Sequence, residues 1–232
     1  MQPNSPMMAQ GSASTTLALA QNRVLRNTYW LLALSLVPTV LGAWVGIKMS
    51  FAFFPANPAI GFIAFLAIAF GFMFGIEKTK NSGWGVALLL AFTFFMGLIL
   101  SRLLGAILGL GNGVQLIGLA FGGTAIIFAT MATLATTIKR DLSKMGKFLF
   151  VGMIMALIAA FANIFLQIPA FAIAISLIVI AIFSAYMLYD VNRVVTGGET
   201  NYISAALAIY LDIYNVFANL LAILGITGGS SD

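Results

Sequence analysis

The stretch Tyr186–Ile226 reads YMLYDVNRVVTGGETNYISAALAIYLDIYNVFANLLAILGI. Two long apolar segments flank a short polar break, and each carries one carboxylate, Asp190 in the first and Asp212 in the second. Almost everywhere else the chain keeps charge out of its apolar segments. An ionisable group inside a membrane span is costly, about 2.5–3.5 kcal/mol even on the lenient insertion scale, and marks a functional site by default. The remaining sequence reads as an apolar scaffold that positions this pair.

Composition fixes the class. The chain is 62% hydrophobic and 7% charged, where a soluble domain carries about 25% charged residues. Charge this sparse cannot clothe a soluble surface, so the chain reads as an all-α polytopic membrane protein in contact with a lipid bilayer. The net charge of +5 comes from only eleven Lys and Arg spread through loops. That pattern speaks for membrane topology and no nucleic-acid partner. The absence of Cys removes disulfides, thiolate nucleophiles and Cys-ligated metals, and the absence of His removes a Ser-His triad and His-based zinc sites. An aspartyl intramembrane protease survives that cut, since it needs only two carboxylates.

Two domains are expected. Residues 1–22 form a polar, Ser/Thr/Gln-rich tail with no charge before Arg23; it lacks the pattern of a cleaved signal peptide and is expected to be disordered and cytoplasmic. Residues 23–232 carry seven spans, at about Asn27–Ile47, Ala59–Ile76, Gly83–Leu104, Val114–Ile138, Phe148–Leu166, Ala170–Tyr189 and Tyr202–Ile226. Each is about 18 to 25 residues, the length a bilayer core of ~30 Å requires. Continuous rather than alternating apolarity selects helices over a barrel. A six-span alternative makes the last segment re-entrant.

With the N-terminus inside, the cytoplasmic segments hold Arg23, Arg26, Lys78, Lys80, Lys139, Arg140, Lys144, Lys147 and Arg193, against Lys48 and Arg102 outside. This asymmetry is the positive-inside signal. It leaves the C-terminus on the outer, periplasmic face. Gly71 with Gly75 and Gly118 with Gly122 are spaced for close helix packing of the small-xxx-small type. Thr130, Thr133 and Thr137 are expected to bond back to their own helix.

The seventh segment has a polar stripe. Ala205, Ala208, Asp212, Asn215 and Asn219 recur at helical spacing and lie on one face, with apolar residues elsewhere. Such a helix belongs in the middle of a bundle. On the sixth segment Tyr186, Asp190 and Arg193 share a face by the same rule. Ten residues of helix put Asp212 ~15 Å deep, whereas Asp190 lies near the end of its span. The two meet only if the sixth helix continues past Arg193 or the GGETNY segment dips inward. If they meet, like charges in a poorly hydrated site do not both ionise readily, so the pair shares a proton and titrates as a unit. That is a pH sensor built without histidine.

The block YD…GGETNYI…IYLDIYN resembles the signature of the Bax inhibitor-1 (TMBIM) family, particularly its bacterial YccA-type branch. VLRNTYWLL at Val24–Leu32, FGGTAIIF at Phe121–Phe128, KRDLS at Lys139–Ser143 and ANIFLQIPA at Ala162–Ala170 carry the same resemblance. It implies seven helices with the C-terminal one central, wrapped by two three-helix layers. It implies two activities: a pH-sensitive calcium or cation leak sensed by an aspartate pair, and modulation of FtsH, a membrane-anchored AAA+ protease, as a binding partner and slow substrate. Asp190 and Asp212 stand where the channel-type aspartates stand. Channel-type members place an arginine at the cytoplasmic end of the second span; this chain has Glu77 there, followed by Lys78 and Lys80, and Arg193 is the candidate substitute. Arg193, Asn215, Asn219, Glu77 and Lys78 are therefore the supporting residues expected around the sensor. No cofactor and no resident metal are expected. A calcium cage needs six to eight oxygens, and six acidic residues in the whole chain leave only weak, transient Ca2+ contact. No enzymatic activity is expected either: aspartyl intramembrane proteases pair YD with a Gly-x-Gly-Asp motif, and Asp212 follows Tyr210-Leu211.

Overall fold

The computed structural model describes residues 6–49, 58–138, 140 and 142–228, with side chains described from Ala20 onward. Among them are seven helices and no strand: α1 (Pro6–Lys48), α2 (Pro58–Thr79), α3 (Gly83–Leu108), α4 (Gly113–Thr137), α5 (Ser143–Leu166), α6 (Pro169–Val195) and α7 (Tyr202–Gly228). Each contains a stretch long and apolar enough to cross a membrane. In hydrocarbon the backbone must satisfy its own hydrogen bonds, which is why nearly all of the spanning chain is helix. The seventh helix is unbroken over 27 residues, long enough to cross, so the re-entrant alternative is set aside.

Two helices are longer at one end than the sequence predicts. The apolar part of α1 begins at Ala20, and its helical backbone reaches back to Pro6, across residues expected to lie outside the bundle as a tail. Residues 17–25, LALAQNRVL, are mostly good helix formers, so nothing halts the helix there. At the other end of the chain α6 runs six residues past Tyr189. It stops at Val195, followed by Thr196 and by Gly197 with φ +80°, a left-handed position that suits glycine. Asn192 explains why polar residues are tolerated in that last turn. Its side-chain amide is 1% exposed and donates to the carbonyls of Ile138 (2.8 Å) and Ala135 (3.4 Å), two acceptors left open at the end of α4.

Among the described residues α7 packs against every helix except α5, which makes it the central element. Ile203, Ala206, Ile209, Tyr210 and Val216 of α7 are fully buried or nearly so. Polar anchors fix its depth: the Tyr210 hydroxyl shares a 2.8 Å hydrogen bond with Thr39 of α1, and the Tyr214 hydroxyl donates to the carbonyl of Met96 in α3 (3.2 Å). Phe72 of α2 packs on Phe92 and Phe95 of α3, and Phe65 stacks on Phe95. By contrast α5 is peripheral and touches only α6 and α2. Its apolar side chains, such as Phe148, Val151, Met155 and Ile158, face outward, as a lipid-facing helix requires.

The closest helix pair is α1 with α3, and the glycines that make it are not those the spacing pointed to. A Cβ on Gly42 would collide with the Phe94 carbonyl, one on Gly97 with the Thr39 carbonyl, and one on Gly46 with the Ser101 hydroxyl. A Cβ on Gly71, Gly118 or Gly122 would meet nothing within 4 Å beyond its own helix, and one on Gly75 would meet only Leu88 at 3.5 Å. The small-xxx-small seam therefore belongs to Gly42/Gly46 against Gly97/Ser101. Without a hydrophobic driving force between helices in lipid, such van der Waals contact is what holds them. The threonine row behaves as expected: Thr130, Thr133 and Thr137 each donate to a carbonyl one turn back.

Gly97→Ala is expected to cost about 1–3 kcal/mol by overpacking, whereas Gly118→Ala should stay within about 0.5 kcal/mol of wild type. Thermal unfolding of the two variants in detergent micelles checks the contrast.

Candidate functional site

Continuation of α6 beyond Arg193 brings the two carboxylates together. The carboxyl groups of Asp190 and Asp212 face each other within hydrogen-bonding reach. Both are buried, Asp190 at 9% exposure and Asp212 at 3%. One oxygen of Asp212, Oδ2, is sealed from solvent with no hydrogen-bond partner. Orphaned buried oxygens are rare and call for an explanation. Tyr186, one turn before Asp190 on α6, lies within electrostatic range of both carboxyls.

One cation of α6 stands beside Asp190. Arg193 Nη1 lies 3.6 Å from Asp190 Oδ1, and its Nη2 lies 3.4 Å from Glu199 Oε2. The guanidinium also sits 5.6 Å from the centre of the Tyr189 ring. Arg193 thus stands where the sequence placed it, beside Asp190, yet shared with a second acid. Glu199 is held on its other side, where Oε1 accepts the backbone N–H of Asn201 (2.9 Å), and its own N–H donates to the Arg193 carbonyl (3.0 Å). Asn201 caps α7, its side-chain oxygen accepting the N–H groups of Ile203 (2.9 Å) and Ser204 (3.2 Å). Its amide reaches across to the Lys80 carbonyl (3.1 Å) and Asn81 Oδ1 (2.9 Å). The α6–α7 loop is thereby tied to the α2–α3 loop at the same end of the bundle.

The other expected site residues fall elsewhere. Glu77 does not reach the aspartates; its exposed carboxylate pairs with Lys80 and accepts the Ser204 hydroxyl at 3.1 Å. The hydrogen bond that Lys80 donates to Glu77 is the main cause that holds the Lys80 ammonium above its ordinary range. Lys78 lies 4.5 Å from the centre of the Phe74 ring, away from the pair. Asn215 and Asn219 stay on the face of α7 that Asp212 occupies, but each amide donates one turn back, to Leu211 and Asn215 (2.8 Å each). Lys139, counted among the basic residues of the α4–α5 loop, lies outside the described residues. Among the described residues no group of three or more His, Cys, Asp or Glu could hold a metal ion. Sequence reasoning missed Asn192, Glu199 and Asn201 as parts of the site. For Asn201 a signal existed: an Asn directly before an apolar run is an N-cap pattern.

This arrangement can hold, release or take up a proton between two helices. It offers no nucleophile with an adjacent base. The model of a family described as "Inhibitor of apoptosis-promoting Bax1" matches residues 21–229. The chain belongs to the Bax inhibitor-1 family. It is 38% identical to an Escherichia coli protein named "Modulator of FtsH protease YccA", over 94% of this chain and 96% of that one. It is also 38% identical to an uncharacterized protein of Neisseria meningitidis, over 90% of this chain and 93% of the relative. An uncharacterized protein of Pseudomonas aeruginosa shows 38% identity over 91% and 95%. The likeness therefore covers the bundle from end to end, including both aspartate-bearing helices.

Asn201→Ala removes the α7 cap and the tie to the α2–α3 loop, and is expected to lower stability by about 1–2 kcal/mol. Asn201→Asp keeps the capping oxygen but loses the amide donor and should fall between the two. Melting temperatures in the same detergent rank the three proteins.

Proposed function

We propose that this family member is a multi-pass protein of the bacterial inner membrane that leaks cations, calcium among them, in a pH-dependent way, with Asp190 and Asp212 as its sensor. The observation that carries this reading is the Asp212 carboxyl, buried against Asp190 with one oxygen unpartnered. Two carboxyls so placed hold one proton between them more readily than two charges. Loss of that proton leaves like charges between α6 and α7, and the packing of the central helix changes with it. Asn215 and Asn219 continue the polar face of α7 one and two turns further on. Six acids in the chain support transient contact with a passing cation rather than a bound one. The basic residues place the α2–α3 and α6–α7 loops in the cytoplasm in this reading, with the start of the first span on the same side and the C-terminus outside.

A second reading rests on a different observation, the 38% identity across almost the whole of both chains to the protein named as a modulator of FtsH protease. On that reading the chain binds a membrane-anchored AAA+ protease of the FtsH type, and the N-terminal residues 1–22 offer the segment that an unfolding motor grips. The two roles are compatible in one molecule. No enzymatic role is proposed for the aspartates, because Asp212 lacks the preceding glycines of an intramembrane protease.

Reconstituted into calcium-free liposomes, the wild-type protein is expected to pass calcium at rates that differ between pH 6 and pH 8. Asp212→Asn should flatten the difference, while Glu77→Gln, which touches neither aspartate, should preserve it. Flux no greater than that of empty liposomes at both pH values would sink the leak reading. Co-purification with an FtsH-type protease that depends on residues 1–22 and ignores Asp212→Asn would then carry the modulator reading alone.

A further inference from the structure

Arg193 is one cation between two acids. Its two terminal nitrogens point to different carboxylates, Nη1 to Asp190 at 3.6 Å and Nη2 to Glu199 at 3.4 Å. A guanidinium has a fixed fork, so what one acid holds, the other shares. Glu199 is itself held in place by the Asn201 N–H on Oε1 and by its backbone N–H on the Arg193 carbonyl. It cannot swing away without opening the turn that joins α6 to α7.

We propose that Glu199 is a positioning residue for the aspartate pair: it holds Arg193 partly away from Asp190 and thereby sets the pH at which the pair gives up its shared proton. The inference rests on the sensor reading of Asp190 and Asp212 and adds to it the group that tunes it. The argument is Coulombic. A carboxylate beside the guanidinium offsets part of the positive field that Arg193 brings to Asp190. Remove that charge and the full field falls on Asp190, which then remains ionised in more acidic solution. The charged and titratable groups that face the pair are few. Tyr186 and Arg193 come from α6, Glu199 from the loop, and each aspartate faces the other. No charged side chain occurs in α4, and α3 has only Arg102. On α1, α2 and α5, Arg23, Arg26, Lys48, Glu77, Lys78, Lys144 and Lys147 are exposed on the outer surface. Lys80 lies within electrostatic range of Glu199 rather than of the aspartates.

The same contacts make Glu199 a link from the surface to the buried pair. Glu199 bonds Asn201, and Asn201 bonds Lys80 and Asn81. A partner or ion that draws on the α2–α3 loop would act on Arg193 through this path.

The test is an infrared titration of the protonated-carboxyl band in proteoliposomes, assigned to the pair by its loss in Asp212→Asn. Glu199→Gln keeps an oxygen for the Asn201 N–H and removes only the charge. Its midpoint is expected to move toward acid by about half to one pH unit. Arg193→Gln should move it the opposite way, and Glu77→Gln should leave it in place. A Glu199→Gln midpoint equal to that of wild type, with the wild-type band titrating normally, would overturn the proposal and leave the sensor reading standing. A wild-type band that does not titrate overturns both. A shifted midpoint in a protein that passes no calcium would uphold the role of Glu199 and remove only the leak.

Discussion

Asp212 is the constraint around which the bundle is arranged. A carboxyl this deep, in a helix that touches nearly all the others, forces its neighbours to supply a proton, a charge or a hydrogen bond. The protein sets Asp190 against it and Arg193 beside Asp190, both on α6. That demand accounts for the length of α6, whose last turn extends past the apolar limit to place Arg193. It also accounts for Asn192, which makes that polar turn tolerable by closing the end of α4. The centre of the bundle is thus a polar problem solved locally, surrounded by apolar packing that needs only shape.

The division of labour among the helices follows. Tyr210 and Tyr214 pin α7 to α1 and α3 through hydroxyl groups, while the contact with α6 sets two facing carboxyls beside apolar residues such as Val191. One side of the central helix is therefore fixed by neutral hydrogen bonds, and the other carries the two carboxyls. Under the proposed sensor role, a proton gained or lost would act on the α6 side of the central helix. The α2–α3 and α6–α7 loops are joined by Asn201 at one end of the bundle.

How much of this could be read in the sequence depended on the range of the interactions. Apolar runs gave all seven helices, since span length and backbone satisfaction are local matters. The stripe through Asp212 and the neighbourhood of Asp190 and Arg193 followed from helical period. Tertiary contact was beyond that reasoning. Gly71, Gly118 and Gly122 have the spacing of a packing motif but face open space, and Gly75 meets only a Leu88 side chain, whereas Gly42 and Gly97 meet backbone, because spacing states which residues share a face and not what that face meets. Analogy of position points Glu77 and Lys78 toward the aspartates, yet Glu77 pairs with Lys80 and Ser204 beside it. Glu199 went unnoticed because its role depends on sharing a cation with a residue one turn inside the preceding helix.

The α1–α3 seam bears on the order in which the bundle is built. Helices enter a membrane in the order of synthesis, and α1 has its tightest partner not in α2 but in a helix completed some sixty residues later. Until α3 arrives, the groove at Thr39, Gly42 and Gly46 has no backbone to close on. Nor can α7, the last to be made, dock its Tyr210 before Thr39 is in place. The first span must therefore wait laterally for the third, and the centre of the molecule is filled last.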